Sequence, residues 1–113
     1  MQYKIKYSPY IAIDIYDIWQ HIALVLKNPT AANRIVDNIN EKMAYVEEFP
    51  FAGSKYYHPD YSESEYRFAI VNSYKIFYKI ENETILFERV LYSKRSHERL
   101  LFSVKEPASQ SFK

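Results

Sequence analysis

Residues 3–7, YKIKY, alternate aromatic or Ile with Lys at a period of two, the pattern of a short half-buried strand with Lys4 and Lys6 on its wet face. Ser8 and Pro9 follow, a capping hydroxyl and a residue suited to the first helical position. From Pro9 to about Lys27 the apolar residues Ile11, Ile15, Ile18, Ile22 and Val25 recur at spacings of four and three, while Asp14, Asp17 and His21 fall on other faces. This predicts an amphipathic helix. After the break at Asn28, Pro29 and Thr30, a second stripe runs through Ala32, Ile35, Ile39, Met43 and Val46 and stops at Phe49 and Pro50. Two helices joined by so short a connection are expected to lie antiparallel as a hairpin.

Residues 50–65 hold two Pro, Gly53 and scattered polar groups, which predicts a loop long enough to invite a functional role. Three β-rich runs come next, over 66–71, 74–80 and 84–92, separated by Asn72 and Ser73 and by Glu81, Asn82 and Glu83, and they predict an antiparallel meander. A basic segment, SKRSHERLLF, closes the folded part as a short helix or tail, and KEPASQSFK lacks apolar periodicity. The expected fold class is therefore α+β: an N-terminal strand and a helical hairpin packed on one face of a small antiparallel sheet, with the other face partly open. On the middle meander strand, alternation sends Tyr74, Ile76, Tyr78 and Ile80 to one face and Lys75, Phe77 and Lys79 to the other. The cations are expected on the open face.

Composition narrows the class. A chain of 113 residues, 48% hydrophobic, is the size of one domain, expected over 1–102 with a flexible tail at 103–113. The absence of Cys excludes disulfides, Cys-based zinc sites and thiol nucleophiles, and points to a reducing, cytoplasmic setting. No secretory h-region and no long apolar run occurs, so no membrane association is expected, and nothing suggests a metal or cofactor. At a net charge of +1, any surface for a polyanion has to be local.

The motifs in order resemble the RelE/ParE superfamily of bacterial type II toxin-antitoxin toxins. The resemblance rests on Tyr7, Ser8 and Pro9 with Ala12 at the first helix, Pro50 with Gly53 after the hairpin, and Tyr66 with Arg67 opening the meander. It continues through Tyr74, Ile76, Phe77 and Tyr78 and through the run from Val90 to Arg95, covering about residues 3–101. It implies the fold already expected, a growth-inhibiting activity, and a cognate antitoxin that binds and neutralises the toxin. Two activities are implied as alternatives. RelE-like members cleave mRNA in the ribosomal A site, whereas ParE-like members inhibit DNA gyrase and are not nucleases.

Metal-free RNA cleavage needs a base for the 2′-OH, an acid for the 5′-oxygen and cations for the charge that develops on phosphorus. By resemblance, Arg67 and Arg95 fall where RelE-like nucleases carry phosphate-binding arginines. His97 is the candidate for proton transfer, because Leu101 stands where a catalytic Tyr is expected; His58 is a weaker candidate and His21 reads as structural. Lys55, Lys75, Lys94 and Tyr92 complete the candidate RNA-binding set.

Each candidate has a plainer reading. Arg67 can pair with Glu63 or Glu65, Arg89 reads as paired with a nearby Glu, and the run from Lys94 to Arg99 reads as a solvated helix start. Tyr56, Tyr57, Tyr61 and Tyr92 can stack on bases or seal a core edge or antitoxin groove. The expectation is thus a toxin that acts as a ribosome-dependent mRNA endoribonuclease with the ribosome and mRNA as partners, the alternative being a gyrase inhibitor.

Overall fold

The computed structural model describes residues 2–102. The chain runs β1 (Lys4–Tyr7), α1 (Pro9–Gln20), a π turn (His21–Val25), α2 (Pro29–Glu48), a 3₁₀ turn (Pro50–Ala52), β2 (Ser54–Tyr57), β3 (Glu63–Val71), β4 (Tyr74–Glu81), β5 (Thr84–Tyr92) and α3 (His97–Phe102). Ser8 starts α1 as its spacing predicts: Oγ accepts from the Tyr10 N–H at 3.1 Å and donates to the Glu88 carbonyl at 2.6 Å, so one hydroxyl caps the helix and ties it to β5. Asn28 caps α2 through Ala31. The first helix does not continue regularly to Lys27. Its last turn widens, with the Leu26 N–H reaching the His21 carbonyl and the Asn28 N–H the Ile22 carbonyl, and Lys27 reverses the chain at φ 57°.

The five strands form one sheet in the order β1-β5-β4-β3-β2, with β1 parallel to β5 and the other pairs antiparallel. The sheet is therefore mixed, not purely antiparallel as expected. β2 was hidden in the predicted loop because its four residues pair with β3 only at Ser54, Lys55 and Tyr57, across a register shift.

Both faces of the sheet are packed. On the helix side, Ile11, Ile18, Ile39, Met43 and Val46 meet Ile76, Tyr78, Ile85, Phe87 and Val90. On the other side, expected to be partly open, α3 folds back so that Leu101 closes over Tyr66, Phe77 and Leu91. Phe77 is completely buried there, as its strand neighbours Ile76 and Tyr78 are on the helix side. The open-face expectation fails because LLF of α3, Leu100 to Phe102, supplies the missing apolar cover.

Asp14, expected off the apolar stripe of the first helix, is buried. Its carboxylate accepts from Arg89 Nε at 2.8 Å, Arg89 Nη2 at 2.9 Å and the Val90 N–H at 2.9 Å, and Tyr10 lies under the guanidinium at 4.6 Å. Arg89 thus pairs with an aspartate of α1 and not with a neighbouring Glu. A bulge makes the contact: Phe77 faces Arg89 and Tyr78 faces Phe87, leaving Glu88 extra in β5. Gly53 is required for space, since its φ is −71°. A Cβ there would collide with the Tyr78 hydroxyl and approach the Phe68 carbonyl oxygen to 2.9 Å, and that hydroxyl is held by the Pro50 carbonyl.

Asp14→Ala leaves a half-shielded guanidinium and a buried N–H without their acceptor and should lower unfolding stability by about 3 kcal/mol in urea denaturation. A change near that of a surface pair, below about 1 kcal/mol, would show the carboxylate to be dispensable. Gly53→Ala should cost about 1–3 kcal/mol by overpacking, read in the same assay, and Gly53→Ala with Tyr78→Phe should recover part of it.

Candidate functional site

β3 alternation decides where Arg67 goes. Tyr66 and Phe68 belong to the α3 side and Ala69 and Val71 to the helix side, so Arg67 points to the helix side. There its Nη1 donates to the Gly53 carbonyl at 2.7 Å and approaches the Phe51 carbonyl at 3.4 Å, with the guanidinium 5.1 Å from the Phe51 ring. The two glutamates weighed as its partners are met by lysines: Glu63 by Lys55, and Glu65 by Lys79 at 3.6 Å. Arg67 holds the turn that follows the hairpin.

The other candidates lie on the α3 side or beside it. Lys75 sits 4.4 Å over the Phe68 ring and Lys79 5.5 Å over Tyr66, both at the rim of the second core. Tyr92 is half exposed and meets Tyr74 at 5.9 Å between ring centres. Lys94 and Arg95 are exposed in the turn after β5, whose backbone is fixed by the Arg95 N–H on the Tyr92 carbonyl. His97 opens α3, with its ring 4.9 Å from Phe77 and Nε2 3.2 Å from the Tyr92 carbonyl, a contact that places the proton on Nε2. Arg95, His97, Lys75, Lys94 and Tyr92 therefore gather around one end of β4 and β5. Arg67 and Lys55 do not join them.

One constellation had no signal in the sequence. Glu98 of α3 accepts from the Tyr56 hydroxyl at 3.1 Å and meets His58 Nδ1 at 2.8 Å. His58 packs on Phe102 at 4.7 Å, and Tyr56 stands edge-on to His97 at 6.4 Å. Tyr56, His58, His97 and Glu98 thus form a polar ring around the apolar foot of α3. Burial, followed by the Glu98 contact, pushes the Tyr56 phenol up to about 12, so it stays a donor at neutral pH. Spacing could not reveal it, because the partners are 40 and 42 residues apart and meet only where α3 folds back. Among the described residues no group of three or more His, Cys, Asp or Glu could hold a metal ion, and no helix is long and apolar enough to cross a membrane.

Burial pushes the His97 imidazole below its ordinary value, with Lys75 acting in the same direction and the Tyr92 carbonyl against it. The folded chain then resists a proton that the unfolded chain accepts from about pH 6.5 downward, so stability falls as pH drops through that region. His97→Phe should keep the packing on Phe77 and flatten the fall in melting temperature between about pH 7.5 and about pH 5.5. An unchanged slope would mean that His97 is not the responsible group.

The profile of a family described as the ParE toxin of the type II toxin-antitoxin system, parDE, matches residues 5–97. No curated protein matches the chain. Among solved structures, the chain is similar to one of the chromosomal ParDE system from P. aeruginosa, with a TM-score of 0.68 at 17% identity over 82% of this chain and 98% of that one. It is also similar to one from the RelBE2 toxin-antitoxin complex of Mycobacterium tuberculosis, with a TM-score of 0.53 at 14% identity over 81% and 99% of the two chains. A third, from the E. coli DinJ-YafQ toxin-antitoxin complex, has a TM-score of 0.53 at 18% identity over 81% and 93%. At these identities the structures speak for the fold alone. With a family profile spanning nearly every element from β1 to the start of α3, the chain belongs to the family of ParE toxins of type II toxin-antitoxin systems.

Proposed function

We propose that this toxin arrests growth by binding DNA gyrase, in the manner of ParE-like members, and that a cognate antitoxin neutralises it. The observation that carries the choice is the separation of the nuclease candidates. A phosphate in flight needs its cations and its proton-transfer group within hydrogen-bond reach of one reacting centre. Arg67 is turned to the helix side and engaged by two backbone carbonyls, while His97 lies across the sheet on Phe77. The face of the sheet opposite the helices is closed by Leu101. A protein-binding toxin needs none of these groups to converge. An antitoxin partner is supported by the likeness to chains solved as toxin-antitoxin complexes.

One observation favours the second reading, a ribosome-dependent mRNA endoribonuclease. Tyr56, His58, His97 and Glu98 bring two imidazoles, a carboxylate and a phenol close to Lys75, Lys94 and Arg95. In that case Arg95 would carry phosphate and His97 the proton, with Arg67 serving only the fold.

Purified toxin added to DNA gyrase should inhibit supercoiling of relaxed plasmid, while a defined message in cell-free translation stays intact by primer extension. New mRNA ends inside the reading frame that need ribosomes, together with undisturbed supercoiling, would replace the gyrase reading with the nuclease. Arg67→Ala should leave gyrase inhibition within about threefold of wild type and lower stability by about 1–2 kcal/mol, through loss of a charge-assisted hydrogen bond to Gly53.

A further inference from the structure

The end of the helical hairpin carries three consecutive aliphatic side chains that the fold does not bury: Leu24, Val25 and Leu26 are 58%, 64% and 59% exposed. The heptad-like stripe of α1 places Val25 with Ile22 on the core side, but the π turn inserts an extra residue and rotates Val25 into solvent. The turn is held firmly. Lys27 at φ 57° ends it, Asn28 caps the next helix, and the Asn38 amide bonds to Asn72 at 3.0 Å in the β3-β4 turn.

Beside this tip lies a groove of about 610 Å³ between the hairpin and the sheet end, lined by Ile22, Leu26, Ile35, Tyr74 and Tyr92 among others, with no carboxylate in its lining. The turn carrying Lys94 and Arg95 is fixed to the same end, through the Ser93 N–H on the Ser73 carbonyl at 2.8 Å. Lys27, Lys94 and Arg95 are exposed, and among the described residues no carboxylate pairs with them. Apolar side chains surrounded by unpaired cations form a surface with a defined complement.

We infer that this end of the molecule, the Leu24 to Leu26 tip with the Tyr74 and Tyr92 groove and the Lys27, Lys94 and Arg95 rim, is the surface that grips the toxin's protein target, and that the segment gripped is apolar and acidic. The inference rests on the reading of the chain as a toxin that binds a protein. Three aliphatic side chains have nothing to offer a nucleic acid, which is met by aromatic stacking and phosphate contacts. Against a protein they supply the dry centre of an interface, Tyr74 and Tyr92 its aromatic anchors, and the cations its rim.

Two double variants test it, Leu24→Ser with Leu26→Ser and Lys94→Glu with Arg95→Glu, with Asp37→Lys on the outer face of α2 as control. Each is scored for growth arrest on induction, for co-purification with the antitoxin and for binding to purified DNA gyrase. Both tip variants should lose growth arrest and bind gyrase about thirtyfold or more weakly while retaining the antitoxin, and the control should behave as wild type. The cationic variant should also remove most of the salt dependence of binding. Loss of the antitoxin by a double variant that circular dichroism shows to be folded overturns the inference and gives the tip to the antitoxin, and a double variant that does not fold is replaced by Leu26→Ala or Arg95→Gln. Full growth arrest by antitoxin-competent tip variants overturns the inference, whatever the target. So does wild-type binding to phosphatidylglycerol vesicles that the tip variants alone abolish, with gyrase binding unchanged. A wild type that arrests growth without binding gyrase refutes the gyrase reading alone, and the tip is then decided by the growth assay.

Discussion

A carboxylate withdrawn from water has to be given donors, and Asp14 receives three from one strand: two from Arg89 and one from the Val90 backbone. Most of this architecture follows from meeting that demand. α1 has to lie across β5 at one rotation and one height, or the fork of Arg89 misses. β5 has to carry its extra residue at Glu88, which shifts the alternation so that Phe87 and Val90, three positions apart, both enter the helix-side core. The Ser8 hydroxyl, bonded to the Glu88 carbonyl, pins the same bulge from the start of the helix. A polar contact therefore sets the register in which the apolar residues pack, the role for which buried charge pairs are best attested.

The second consequence of that register is a sheet with two cores. Ile76, Phe77 and Tyr78 are consecutive and all without exposure, so β4 reads like a buried central strand although its ladder is antiparallel. Lys75 and Lys79 then have no open face to occupy. They lie with their stems along Phe68 and Tyr66 and their charged ends at the rim. What looked in the sequence like a cationic face is a cationic border, and three exposed aliphatic side chains in a row lie at the far end of the hairpin.

Local periodicity carried the elements well. The strand at 3–7, the two helical stripes, the Ser8 and Asn28 caps and the three long strands are all where spacing puts them, because each is specified within a few residues of itself. Four features escaped for the opposite reason. β2 pairs at too few positions to alternate, the π turn looks like any helical turn, the cover from Leu101 depends on a chain reversal, and Asp14 is polar by type but buried by a partner 75 residues away. The candidate site suffered most. Nothing in the sequence says that Arg67 and His97 face opposite sides of the sheet: the parity of β3 sends Arg67 to the helix side, and the fold-back of α3 brings His97 onto Phe77 on the other.

β1 has its ladder partner some 80 residues further along the chain. Lys4 to Tyr7 pair in parallel with Thr84 to Phe87, and Ser8 reaches a carbonyl 80 residues away. A chain emerging from the ribosome at roughly 5 to 20 residues per second can assemble its hairpin early, but it has nothing for β1 to pair with until β5 has cleared the exit. Closure of the sheet and burial of Asp14 then wait for β5, and docking of α3 follows them in the chain, and long-range pairing of this kind is slow by its nature. Everything from β1 to β4 is thereby made before the strand that joins the two ends of the sheet exists.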